Sequence, residues 1–184
     1  MKLIHTIDLV GDSGSGVIAL SPSQEPQTLL AYPSPVNVGQ VILFDVDSQR
    51  PVNAFHAHKT PISCMVFSSD AGLLATCSDK GTVIRVFRLP DCTRMYQFRR
   101  GNIPTSIFSL SLSPNGRFLC ASSDSTVHIF NLNEAYSEVA GASNPRRSLS
   151  SFLPGLITEV LEPSRDFARI KLQNPVLNIS SFNQ

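Results

Sequence analysis

Gly39-Gln40-Val41-Ile42-Leu43-Phe44, Gly81-Thr82-Val83-Ile84-Arg85-Val86-Phe87 and Ser125-Thr126-Val127-His128-Ile129-Phe130 read as three strands that end alike, their closing phenylalanines 43 residues apart each time. An apolar strand precedes each of them: Leu29-Leu30-Ala31, Leu73-Leu74-Ala75 and Phe118-Leu119-Cys120-Ala121. Further upstream come Gly16-Val17-Ile18-Ala19-Leu20, Ile62-Ser63-Cys64-Met65-Val66-Phe67 and Ile107-Phe108-Ser109-Leu110-Ser111-Leu112. Turn chemistry separates them, as in Ser68-Ser69-Asp70-Ala71-Gly72 and Ser113-Pro114-Asn115-Gly116, where Gly, Asn and Asp take conformations that strands avoid. Short strands at such intervals predict an all-β fold. A period near 43 with four strands per unit is that of a β-propeller blade. The repeat units run over about 1–46, 47–90 and 91–132, within a partial β-propeller of residues 1–172. The segment before Phe130 is one residue shorter than that before Phe87, so the period repeats and the blades are not identical. A β-sandwich with accidental spacing is the competing architecture.

A propeller closes by pairing its two ends and takes at least about four blades. Three clear units, with strand-like Leu3-Ile4-His5-Thr6-Ile7 already at the start, read as an excerpt from a larger ring, with open sheet edges as an aggregation hazard.

The 184 residues suffice for a domain with a core, and 42% hydrophobic against 16% charged residues is an ordinary globular balance. The formal net charge is +1. No global positive field favours nucleic acid, so anion binding has to come from a local cluster. Cys64, Cys77, Cys92 and Cys120 form no C-x-x-C pair; they read as small buried hydrophobes, and reduced thiols fit a cytosolic setting. No apolar run reaches the roughly 18–20 residues that span a bilayer, and the start does not read as a signal peptide. Membrane contact is therefore expected to be peripheral. His56 and His58 alternate along a strand, but no acidic or cysteine partner is spaced to complete a metal site. Neither a nucleophile–base pair nor a phosphate-cradling glycine loop suggests an enzyme, and no cofactor is expected.

Phe98-Arg99-Arg100-Gly101, between the second and third units, resembles the F/L-R-R-G hallmark of the PROPPIN family, the seven-bladed WD40-like propellers of autophagy called WIPI proteins in animals. Thr76-Cys77-Ser78-Asp79-Lys80-Gly81-Thr82-Val83-Ile84-Arg85-Val86-Phe87 looks like the family's fifth blade. Phe118-Leu119-Cys120-Ala121-Ser122-Ser123 with Thr126-Val127-His128-Ile129-Phe130 looks like its sixth. Leu30-Ala31-Tyr32-Pro33 and Ala57-His58 also fit. The resemblance covers about Met1 to Leu172 and implies an incomplete ring, from near the end of the third blade into the seventh. Ser123-Asp124-Ser125-Thr126 is one residue shorter than the family's usual spacing.

The resemblance implies binding of phosphatidylinositol 3-phosphate and the 3,5-bisphosphate. The residue chemistry agrees. A phosphomonoester carries roughly −1.5 to −2 charges and three acceptor oxygens, and an arginine fork engages two of them together. On a strand, neighbouring side chains diverge, so Arg99 and Arg100 are expected to serve separate pockets, with Gly101 letting the chain turn. The resemblance assigns His58, Ser78, Thr82 and Arg85 to the pocket of Arg99, and Ser123, Thr126 and His128 to that of Arg100. It further implies a peripheral scaffold in autophagosome formation and endosomal or vacuolar traffic. The expected location is cytoplasmic, on phagophore, endosomal or vacuolar/lysosomal membranes. The expected partners are phosphoinositide membranes and autophagy proteins, such as the family's lipid-transfer partner, and not nucleic acid. A propeller that binds only proteins is the alternative.

Residues 133–151 read as a polar loop. In Phe152-Leu153-Pro154-Gly155-Leu156-Ile157-Thr158-Glu159-Val160-Leu161 the apolar residues recur every fourth position, which predicts an amphipathic segment over 152–161. It lies at or near a membrane-dipping loop of the family, so Phe152, Leu153, Leu156 and Ile157 are candidate membrane contacts; packing on the propeller is the other reading. Phe167-Ala168-Arg169-Ile170-Lys171-Leu172 alternates as a strand does, and 173–184 form a tail with no resemblance to the family.

Overall fold

The computed structural model describes residues 6, 16–22, 27–133, 165–173 and 179–182. The segment 152–161, with its candidate membrane contacts Phe152, Leu153, Leu156 and Ile157, lies outside them. The strands are β1 (Ala19–Leu20), β2 (Leu29–Pro33), β3 (Gln40–Asp45), β4 (Arg50–His56), β5 (Ile62–Phe67), β6 (Leu73–Ser78), β7 (Val83–Arg88), β8 (Thr93–Arg99), β9 (Ile107–Leu112), β10 (Phe118–Ser123), β11 (Thr126–Asn131) and β12 (Ala168–Lys171). They form three antiparallel four-stranded sheets, β1-β2-β3-β4, β5-β6-β7-β8 and β9-β10-β11-β12. Innermost strands of neighbouring sheets, β1 with β5 and β5 with β9, lie side by side. This is a propeller arrangement whose ring these sheets do not close. The sheets are offset by one strand from the sequence units, because the segment beyond each closing phenylalanine hydrogen-bonds back onto it as the fourth strand.

The turns explain the registers. Ser68 Oγ accepts the Leu73 amide at 2.9 Å while Asp70 accepts the Gly72 amide at 3.0 Å. Ser113 and Asn115 repeat this with the amides of Phe118 (2.9 Å) and Arg117 (3.1 Å), and Ser21 accepts the Leu29 amide at 2.9 Å. Each serine thus starts the second strand of its sheet, satisfying a backbone donor the ladder leaves open.

Two cores lie at the seams. Leu43, Ala57, Met65, Phe67, Leu74 and Phe87 belong to the one between the first and second sheets. Ile84, Val86, Phe98, Ile107, Leu119 and Phe130 belong to the one between the second and third. An outer-strand phenylalanine meets the next sheet's closing phenylalanine at both: Phe55 with Phe87 at 4.6 Å between ring centres, and Phe98 with Phe130 at 4.8 Å. β6 and β10 are buried along nearly their whole length, since they are covered on both faces, which is why they read as continuous apolar or small runs.

Candidate functional site

The second seam carries the candidate site. β8 ends at Arg99, and the backbone amides of Arg100 and Gly101 both reach Thr82 O, at 2.9 and 3.4 Å. The chain leaving β8 is thereby tied to the β6–β7 turn. Arg100 is half-buried; its Nε donates to Gly81 O at 2.9 Å and a terminal nitrogen donates to Ile103 O. Burial draws its pKa below the ordinary arginine value. Arg99 is exposed. Both line one cleft of about 140 Å³ with Gly101, Asn102, Arg165, Asp166 and Arg169. Arg100 stands beyond the end of β8, so strand alternation does not govern it and the two arginines share a cleft. Gly101 does not adopt a left-handed conformation, and a Cβ there would meet nothing within 4 Å; the chain does not require glycine at this point, and its small size leaves the cleft open.

The set Ser123, Thr126 and His128 is brought together. Ser123 Oγ and Thr126 Oγ1 lie 2.9 Å apart, and Thr126 Oγ1 lies 3.0 Å from His128 Nε2. The row continues beyond the residues expected from sequence. His128 Nδ1 lies 3.1 Å from Asp166 Oδ2, which also accepts from Arg169 Nε at 2.9 Å. The placement follows from pairing: His128 faces Arg169 across β11–β12, and Thr126 faces Lys171, so these four side chains share one face of the sheet. Burial, opposed by Asp166, leaves the His128 pKa below its ordinary value. Burial pushes the Asp166 carboxyl up, but the hydrogen bond and charge of Arg169, with His128, outweigh it and hold the carboxyl below the ordinary range. An ionised carboxylate only accepts, so His128 carries its proton on Nδ1.

The set His58, Ser78, Thr82 and Arg85 is divided: Arg85 reaches Ala57 O beside His58 at the first seam, whereas Thr82 lies in the β6–β7 turn at the second, its carbonyl accepting from the amides of Arg100 and Gly101. His58 is buried with Nε2 2.9 Å from Thr76 Oγ1. Arg85 donates to Gln97 Oε1 at 2.8 Å and to Ala57 O at 2.5 Å. Ser78 is buried, and Thr82 is partly so. Among the described residues no hydrogen bond joins Arg99 to this set. Arg165, Asp166 and Arg169 were not expected. Their signal lay in the strand read over 167–172: alternation puts Arg169 and Lys171 on one face, and antiparallel pairing with the strand of His128 would have brought them to the site.

The PROPPIN family model matches residues 1–173. Autophagy-related protein 18 of Dictyostelium discoideum is 39% identical, over 100% of this chain and 54% of that protein. Its Schizosaccharomyces pombe counterpart is 36% identical, over 99% of this chain and 59% of that one. The chain therefore spans a little over half the length of these curated relatives. Among solved structures, Kluyveromyces lactis Hsv2 superposes with a TM-score of 0.61 at 27% identity, covering 89% of this chain and 47% of that one. A complex of KlAtg21 with the coiled coil of AgAtg16 matches with a TM-score of 0.59 at 29% identity, over 71% and 44%. Propeller sheets, an arginine doublet at their seam and a match along nearly the whole chain agree: this chain belongs to the PROPPIN family.

Proposed function

We propose that this chain is the phosphoinositide-binding part of a peripheral membrane scaffold acting in autophagy. The observation that carries the reading is the cleft at the second seam, where, among the described residues, Arg99, Arg100, Arg165 and Arg169 stand against a single carboxylate. About 140 Å³ is less than the roughly 300–1,000 Å³ that a drug-sized ligand occupies; it suits a phosphate-sized group whose carrier stays outside. A phosphomonoester of about −1.5 to −2 charges matches such a cluster of guanidinium forks. The row Ser123–Thr126–His128 backs it, joined to its lining through the His128–Asp166 hydrogen bond, and His58, Ser78, Thr82 and Arg85 are offered as a second, weaker contact region. Two weak contacts on one membrane reinforce each other through effective concentration. Phosphatidylinositol 3-phosphate and its 3,5-bisphosphate are the proposed ligands. Phagophore, endosomal and vacuolar/lysosomal membranes, approached from the cytoplasm, are the proposed location.

Flotation with vesicles containing phosphatidylinositol 3-phosphate tests this. Binding by Arg99→Thr/Arg100→Thr is expected to drop to the level of plain phosphatidylcholine. Arg100→Lys separates charge from anchoring, since Arg100 also holds the Gly81 and Ile103 carbonyls. If the double threonine variant floats as well as the parent, the reading is wrong.

A second reading, a propeller that binds proteins, is favoured by the likeness to KlAtg21, which was solved with the coiled coil of AgAtg16. The two readings are compatible, and an autophagy protein carried to the membrane by this scaffold is the proposed partner class. Coiled-coil binding that persists in the arginine variants would assign that role to a different surface.

A further inference from the structure

Among the described residues, Asp166 is the one acidic residue lining the cleft. Its side chain is 12% exposed, and it holds Arg169 through Nε at 2.9 Å and a terminal nitrogen at 3.3 Å. The same Oδ2 accepts from His128 Nδ1 at 3.1 Å. That bond fixes the row of hydroxyls: with the proton on Nδ1, neutral His128 presents Nε2 as an acceptor, and the Thr126 hydroxyl donates to it across 3.0 Å. Ser123 Oγ, within 2.9 Å of both Thr126 O and Thr126 Oγ1, is engaged as well. One carboxylate thus occupies a guanidinium fork and, through His128, turns a hydroxyl proton inward. Of these groups Arg169 lines the cleft with Asp166, and His128 and Ser123 are buried behind it.

Resting on the phosphoinositide reading of this site, we propose that Asp166 is an internal competitor for the phosphate. Its carboxylate occupies the anion position shared by Arg169 and His128, so that ligand binding is an exchange of carboxylate for phosphate and Asp166 limits the affinity of the cleft. The exchange moves an acceptor and breaks no covalent bond. Asparagine keeps the shape and one acceptor oxygen for His128 and Arg169 but removes the charge.

The test compares the parent with Asp166→Asn at low salt, first against inorganic pyrophosphate, followed by the Arg169 Nε–H resonance, then against phosphatidylinositol 3-phosphate vesicles. Removing one like charge beside a multiply charged anion is expected to tighten binding about three- to tenfold in both. In the ligand-free parent, the imidazole nitrogen shifts of His128 should report protonated Nδ1. Asp166→Ser, which is shorter and uncharged, gives the same comparison if the asparagine chain does not fold. Pyrophosphate binding that is equal or weaker in the neutral variants overturns the proposal, whatever the vesicles show. Tighter pyrophosphate binding in a chain that ignores phosphoinositide vesicles upholds the competitor and sinks the lipid reading instead.

Discussion

His58 shows what burial does to a residue that chemistry alone would place in a binding site. Its imidazole sits against Thr76, and burial, followed by the charge of Arg85, pushes its pKa down to about 4. The unfolded chain titrates near the ordinary value of about 6.5. As pH falls, the unfolded state therefore takes up the proton first. The contribution to stability is complete above about 6.5 and is lost as pH falls toward 4; at pH 5 the loss is about 2 kcal/mol. His128, whose pKa is also lowered, has the same sign. Denaturant melts at pH 7.4 and pH 5 should show the parent losing more stability than His58→Gln, which has no proton to gain. Identical slopes in the two proteins would mean that His58 is not held neutral by the fold.

Two glycines separate turn from cleft. Gly81, in the β6–β7 turn, has φ +57°, and a Cβ there would stand 1.9 Å from Thr105 O, a backbone atom of the entry into the third sheet. Gly81→Ala is expected to cost on the order of 2–4 kcal/mol, from left-handed strain and overpacking together. Gly101→Ala should stay within about 0.5 kcal/mol of the parent, as an unclashing surface change does, while its methyl narrows the cleft and weakens vesicle binding. Thermal melts paired with flotation check both; a destabilised Gly101→Ala would show that the hallmark glycine serves the fold. The elements themselves were readable because their cues are local: alternating strands, serine and aspartate turns, and a 43-residue interval. The assignment of each outer strand to the preceding sheet was less so, since that pairing depends on which strand the chain folds back upon. For β12 the partner β11 ends at Asn131 while β12 begins at Ala168. A gap of that length hid the contribution of Arg165, Asp166 and Arg169, whereas Arg99 and Arg100 were visible within a contiguous motif.

At the scale of the molecule, the cleft draws residues from two sheets, so its geometry depends on how those sheets meet. Phe98 immediately precedes Arg99 and stacks on Phe130 with ring centres 4.8 Å apart; Phe130 in turn lies parallel to His128 at 6.3 Å. Both phenylalanines are fully buried, at 1% and 0% exposure. The seam core thus lies directly behind the donors, and a change in it shifts Arg100 relative to Thr126 and His128 without touching the ligand. Phe44 closes the corresponding strand of the first sheet and packs near Tyr32, with ring centres 6.5 Å apart. Phe130→Leu and Phe44→Leu each remove a similar buried volume and should each cost about 1–2 kcal/mol. Close-packed interiors transmit such a change to their neighbours, and a displacement of about 1 Å is enough to spoil a built site. Phe130→Leu is therefore expected to lower phosphoinositide vesicle binding several-fold once corrected for folded fraction, whereas Phe44→Leu should leave it unchanged. Equal losses in the two variants would show that vesicle binding follows overall stability and that the second seam has no special part in aligning the site.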